Sequence, residues 1–149
     1  MFSKACEYGI RAAIYIAMQS RHGERASLKA IASEIDSPVA FTSKILQQLV
    51  KHKIIVSVKG PVGGFEIDPG KLETVKLSHI VSAIDGNQIY VGCGLGLKNC
   101  SEIMPCPLHE KFKKIREELR HMLESTSLGE LSDGLKTGDT FLKNLHLIA

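Results

Sequence analysis

The 149 residues carry 19 Lys and Arg against 16 Asp and Glu, a formal net charge of +3, with 44% apolar residues and no Trp. That balance suits one globular domain, or a small domain with an extension, on an aliphatic and mostly helical core. No stretch approaches the roughly 20 apolar residues that cross a bilayer, and Glu7 and Arg11 interrupt the apolar run that a secretory leader needs. No membrane partner and a cytoplasmic location are therefore expected, and in that compartment four cysteines read as metal or redox ligands before structural disulfides.

The apolar stripe Ile10, Ala13, Ile14 and Ala17 predicts a first helix from about Phe2 to Gln19, broken at Gly23. Ser27 is the predicted N-cap of a short second helix that turns Leu28, Ile31 and Ala32 inward and ends near Ile35. Ser37-Pro38 restarts the chain, with Ser as the expected cap and Pro at the first helical position. The third helix runs to about Lys51, with Phe41, Ile45, Leu46 and Leu49 inward and Lys44, Gln47, Gln48 and Lys51 outward. Two short helices joined by a tight turn match the helix-turn-helix pattern, whose second helix enters the major groove.

Charge concentrates on this segment. From Ser37 to Phe65 there is no Asp or Glu, while Lys44, Lys51, Lys53 and Lys59 give +4, more than the whole chain. Such a surface attracts polyanions, unless it is only a solvated face. After the third helix, Ile54, Val56 and Val58 alternate with Ile55, Ser57 and Lys59, and the run Gly60-Pro61-Val62-Gly63-Gly64 turns the chain. Phe65 and Ile67 alternate again before Asp68-Pro69-Gly70. This predicts a β-hairpin, and a hairpin directly after a helix-turn-helix reads as a wing, with Lys59 placed to reach a phosphate or a minor groove. The competing reading is an ordinary hairpin beneath the helices.

A fourth helix carries Leu77, Ile80, Val81 and Ile84 on one face and ends at Gly86, which closes a winged helix-turn-helix unit over residues 1–86. Residues 87–106 form a Gly-containing loop with little periodicity, long enough for a functional role to be expected. From about Pro107 to Thr126, Leu108, Phe112, Ile115, Leu119, Met122 and Thr126 follow in steps of four, three, four, three and four. So narrow a heptad seam predicts a dimerisation helix, with packing against the first helix of the same subunit as the alternative. Ser127 to Glu130 has the spacing of a capping box and opens a short last helix, so that residues 107–135 form the dimerisation helix and terminal helix. Residues 136–149 read as a loosely structured tail.

Cys93, Cys100 and Cys106 fall in the long loop immediately before the seam helix, with only Cys6 elsewhere. Structural zinc prefers paired ligands two to four residues apart, whereas the intervening gaps here are six and five residues. A disulfide leaves an odd thiol. An iron–sulfur cluster suits thiolates converging from a flexible loop, and Gly92, Gly94 and Gly96 allow close backbone approach. The residues thus favour a cluster over zinc, with two-iron and four-iron forms both open, and aerobic handling expected to strip an exposed one. His109 is the leading fourth-ligand candidate because it lies three residues past Cys106; Glu7 and Cys6 are rivals from the first helix. An enzyme would need a nucleophile or base constellation, and the scattered His22, His52, His79, His121 and His146 provide none. A cluster-free regulator using direct thiol redox chemistry or a partner protein remains the alternative.

These stretches together resemble the Rrf-two family of winged-helix transcription regulators, in its IscR-like and NsrR-like branches. The resemblance is carried by Glu7-Tyr8-Gly9-Ile10-Arg11-Ala12, by Ser43-Lys44-Ile45-Leu46-Gln47-Gln48-Leu49, by Val58-Lys59-Gly60-Pro61-Val62-Gly63-Gly64-Phe65 and by Leu128-Gly129-Glu130-Leu131. It implies a homodimer, crossed by the long helix, on a pseudo-palindromic duplex operator. By position it implies Cys93, Cys100 and Cys106 as cluster ligands. His109 then matches the fourth ligand of one branch, and Glu7 the acidic ligand that the partner subunit gives in the other. The winged-helix architecture implies Thr42, Ser43, Lys44 and Gln47 at base edges and Lys51, Lys53 and Lys59 on phosphates. Ala40 and Ser43 depart from the Ser and Glu of the IscR-like pattern, so a different operator is expected.

Overall fold

The computed structural model describes residues 1–144. Its elements are α1 (Lys4–Arg21), α2 (Leu28–Glu34), α3 (Val39–Lys51), β1 (Val56–Val58), β2 (Gly64–Glu66), a 3-10 turn (Pro69–Lys71), α4 (Leu77–Asp85), α5 (Gln88–Val91), α6 (His109–Ser125) and α7 (Leu128–Thr137). The architecture is mainly helical with one antiparallel hairpin, as the sequence predicts. No described helix is long and apolar enough to cross a membrane.

Helix α1 is the hub, packed against α2, α3, α4 and α7. Ser3 caps it, its Oγ accepting from the Cys6 amide at 3.0 Å, and also donates to Asp85 at the end of α4. Small residues along α1 let neighbours approach; a Cβ at Gly9 would run into Ile84 of α4. Ala13, Ile16 and Ala17 join Ile31, Leu46 and Ile80 in the core.

Ser27 caps α2 as expected, accepting from the Ala30 amide at 3.1 Å. The turn into α3 uses Asp36 at φ 52, a left-handed conformation that Asp tolerates better than most residues. Three expectations for α3 need correction. Pro38 itself occupies the N-cap position, and no side chain caps the helix. Ser37 instead hydrogen-bonds the Thr42 hydroxyl. Thr42, expected to face base edges, is fully buried and donates to the Pro38 carbonyl at 2.8 Å, because the hydroxyl completes the turn. Phe41, expected in the core, stays partly exposed and lies edge-on to Tyr8 with ring centroids 5.6 Å apart.

Helix α3 ends in a Schellman motif: Lys53 N–H donates to Val50 at 2.9 Å and Ile54 N–H to Leu49 at 3.0 Å. Lys53 pays for this with φ 60, a region where a β-carbon costs on the order of 1 kcal/mol. Lys53→Gly should therefore raise stability by about 0.5–1 kcal/mol while weakening duplex binding and lowering its log-salt slope by about one. Urea melts and a salt titration of binding check the two halves separately; an unchanged slope would remove Lys53 from the phosphate contacts.

Strand pairing is Val56 with Glu66, Ser57 with Phe65 and Val58 with Gly64. The hairpin starts later than the alternation suggests, since Ile54 and Ile55 are both buried beneath it. Ala26 exchanges backbone hydrogen bonds with Phe65 at 3.0 and 2.8 Å, tying the wing to the start of α2. Arg25 pairs with Glu66 at 3.0 Å and donates to the Val62 carbonyl at 3.2 Å, bracing the tip.

Within 87–106, expected to lack helix, Gln88–Val91 form the single turn α5. Helix α7, capped by Ser127, runs past residue 135 to Thr137, and Gly138 closes it at φ 81. The segment beyond is not simply loose: Leu142 packs on the core, its carbonyl accepts from Arg11 at 3.3 Å, and Lys143 donates to Ser33 at 3.1 Å. The reason lies on α1, where Arg11 needs acceptors and takes the Ile35 carbonyl as well at 2.8 Å. The end of the predicted tail, 145–149, and with it His146, lies outside the described residues.

Candidate functional site

At 3.6 residues per turn, Ala40, Lys44, Gln47 and Lys51 fall within an arc of about 60° on α3, opposite the buried Thr42, Ile45, Leu46 and Leu49. All four are exposed, and Ser43 is half-buried at the edge of the arc. Lys53 lies just past the helix and Lys59 in the hairpin turn, both exposed. None of Lys44, Lys51, Lys53 and Lys59 forms a salt bridge among the described residues. An unpaired cationic strip along α3, the first wing strand and the hairpin turn can bind a polyanion without first breaking internal ion pairs.

The second site is built around α6. Phe112 turns toward the cysteine loop, where Gly94 lies against its ring so closely that a Cβ would enter it. Arg116 donates to the Gly92 carbonyl at 2.8 Å and to Cys100 Sγ at 2.9 Å, and Arg120 stacks over Tyr90 at 4.4 Å. Arg116 escaped the sequence reading because it looks like one more charged residue on an exposed helix; its spacing of seven from His109 was the available signal.

His109 is 5% exposed, its Nδ1 lies 3.5 Å from Cys100 Sγ, and its Nε2 is buried without a partner. Cys93 and Cys106 form a second pair. The Leu95 amide donates to Cys93 Sγ at 3.4 Å. That amide above all, then those of Leu97 and Gly96 and the Cys106 thiol, hold the Cys93 thiol below the usual thiol pKa. The loop thus sets Cys100 beside His109 and Cys93 beside Cys106, while among the described residues no three or more His, Cys, Asp and Glu side chains are disposed around one metal position.

The donor set suits iron–sulfur chemistry: three thiols, an imidazole with an orphaned nitrogen, and amide and guanidinium donors directed at sulfur. Glu7 lies elsewhere, exposed on α1 with Lys4 at 3.4 Å, and is not joined to the loop within this subunit. Cys6 is a core residue, and burial above all, then the Asp85 carboxylate, pushes its thiol up to about 12. In metal-free protein at neutral pH, iodoacetamide should therefore label Cys93 readily and leave Cys6 untouched until the chain unfolds. Peptide mass spectrometry reads the order; early labelling of Cys6 would refute it.

The heptad seam divides in two. Leu108, Ile115 and Met122, seven residues apart, are exposed, Ile115 at 57% and Met122 at 43%. Phe112 and Leu119 turn inward with Leu123, which is completely buried and which the seam pattern omitted.

A winged helix-turn-helix carrying a bare cationic strip defines a DNA-binding transcription regulator. The sequence matches the Rrf2 family, described as an iron-dependent transcriptional regulator, over residues 2–134, and the chain belongs to that family. Among its relatives, IscR of Klebsiella pneumoniae (strain 342) is 26% identical over 125 residues, covering 83% of this chain and 74% of IscR. Two solved structures share the fold. CymR of B. subtilis, a global cysteine regulator, aligns at TM-score 0.72 and 20% identity over 89% of this chain and 96% of its own. IscR of T. potens aligns at TM-score 0.71 and 19% identity over 94% and 91%. These relatives are transcription regulators, and the chain is a regulator rather than an enzyme.

Proposed function

We propose that this regulator acts in the cytoplasm as a homodimer on a pseudo-palindromic duplex operator, with an iron–sulfur cluster on Cys93, Cys100 and Cys106 setting its affinity. The observation that carries the reading is the buried His109, whose Nδ1 lies 3.5 Å from Cys100 Sγ, a thiol that Arg116 also reaches, and whose Nε2 is left without a partner. A buried imidazole nitrogen with nothing to bond is costly unless a further group completes it. His109 is accordingly the fourth ligand within the subunit; Glu7 would have to come from the partner.

A bound cluster supplies a centre that reacts with oxidants and nitric oxide. The protein supplies the coupling. Arg116 ties the Cys100 thiol and the loop backbone to α6, and Leu108, Ile115 and Met122 on that helix form the dimer seam with the Phe112 and Leu119 rows behind them. Rearranging the loop therefore biases the seam and the spacing of two α3 helices, a shift between binding-competent and incompetent dimers. On DNA, Lys51, Lys53 and Lys59 contact phosphates while Ser43, Lys44 and Gln47 face base edges.

A second reading has one observation in its favour: the Cys93 thiol is acidified and hydrogen-bonded to Cys106, as a direct thiol sensor requires. Solved structures of Staphylococcus aureus CymR include an oxidized form. Iron and acid-labile sulfide analysis of anaerobically purified protein separates the two. Stoichiometric iron and sulfide support the cluster; their absence, with reversible oxidation of Cys93, supports the thiol.

A further inference from the structure

The first turn of α3 exposes apolar surface that the fold does not use. Val39 is 46% exposed, and Ala40 is exposed on the same arc as Lys44, Gln47 and Lys51, one turn nearer the helix start. Neither belongs to the core or to the partly buried residues around it. The turn is held rigidly, since Thr42 bonds both Pro38 and Ser37, and Phe41 is set against Tyr8, itself covered by Arg11 at 4.8 Å. The start of a recognition helix is the part that meets base edges. From this turn onward through the wing tip the charged side chains are all cations, since residues 37–65 contain no Asp or Glu.

We infer that Val39 and Ala40 are specificity residues that read thymine, their methyl groups packing on the thymine C5-methyl in the major groove. An aliphatic side chain offers a base edge no donor or acceptor, and the thymine methyl is the one apolar feature the major groove displays. The cationic strip fixes the occupant as duplex DNA rather than an apolar protein surface, which would leave those lysines buried and unpaired. The half-site therefore carries thymine where the start of α3 enters the groove, next to the bases faced by Lys44 and Gln47. This inference rests on the proposed DNA reading and adds the chemistry of the sequence it prefers.

The test begins by selecting binding sites from a random duplex pool with the full chain, then replacing each selected thymine in turn by uracil. Uracil keeps the pairing edge and removes only the methyl. At one or two positions per half-site the substitution should weaken wild-type binding about fourfold, the ratio that burying one methyl-sized group supports. In a Val39→Ser, Ala40→Gly variant, thymine and uracil sites should bind equally; both changes are at exposed positions, and circular dichroism checks the fold. Selected sites without thymine there, no uracil effect, or an effect that persists in the variant would each overturn the inference while leaving DNA binding intact. Failure to enrich any sequence, with no measurable duplex binding, would overturn the DNA reading and this inference with it.

Discussion

An Ile115→Glu, Met122→Glu double variant is expected to be monomeric and to bind its operator at least a hundredfold more weakly than wild type. Both side chains lie on the outward row of α6, one heptad apart, where they touch little of their own subunit. Placing four carboxylates in a two-fold seam both removes apolar contact and adds like-charge repulsion. The affinity loss follows from valency: two reading heads joined rigidly gain about 10²–10⁴ over one head alone. Sedimentation and anisotropy on the same samples check the two parts. A variant that remains dimeric would place the interface elsewhere. A Leu123→Glu change should instead unfold the chain, since Leu123 is completely buried, and that contrast separates interface from core.

Cys106→Ala is expected to abolish the visible absorption of anaerobically purified protein while leaving helical content unchanged. Cys106 is only partly buried, and its structural bonds are limited: its carbonyl accepts the His109 amide at 3.0 Å and its thiol meets Cys93. Alanine keeps the first of these and removes the second. Loss of one thiolate leaves a cluster short of a ligand: Arg116 and Lys113 are donors only, and the nearby Glu102 carboxylate is engaged by Lys113. An unchanged spectrum would remove Cys106 from the ligand set.

The helices of the reading head were legible through strong amphipathic periodicity, which at α2 a side-chain cap reinforces. Ser27 caps α2 and Ser127 caps α7, where the serine half of the expected box forms through the Glu130 amide. Ser37 misled because a serine before Pro38 has two possible partners, the helix amides or the Thr42 hydroxyl, and local spacing does not decide between them. Burying Thr42 then costs one expected base contact. Phe41 shows a related failure: its apolar character is used in a contact with Tyr8 at the surface rather than in the core.

The cysteine loop was legible by composition, and its pairings were not. Arg116 and the division of the α6 seam depend on how the loop folds back over the helix, which periodicity within α6 does not encode. Leu123 is in the same position: a heptad count skips it, and it joins the core where α6 packs against the rest of the fold, α4 included.

The most direct test titrates one anaerobic preparation of cluster-loaded dimer onto its selected operator, before and after the cluster is removed with nitric oxide or chelator. The affinity should change at least tenfold, in either direction, with the dimer preserved. Equal affinities in the loaded and stripped dimers, on the same operator at the same salt concentration, would contradict the coupling of the loop to the reading heads.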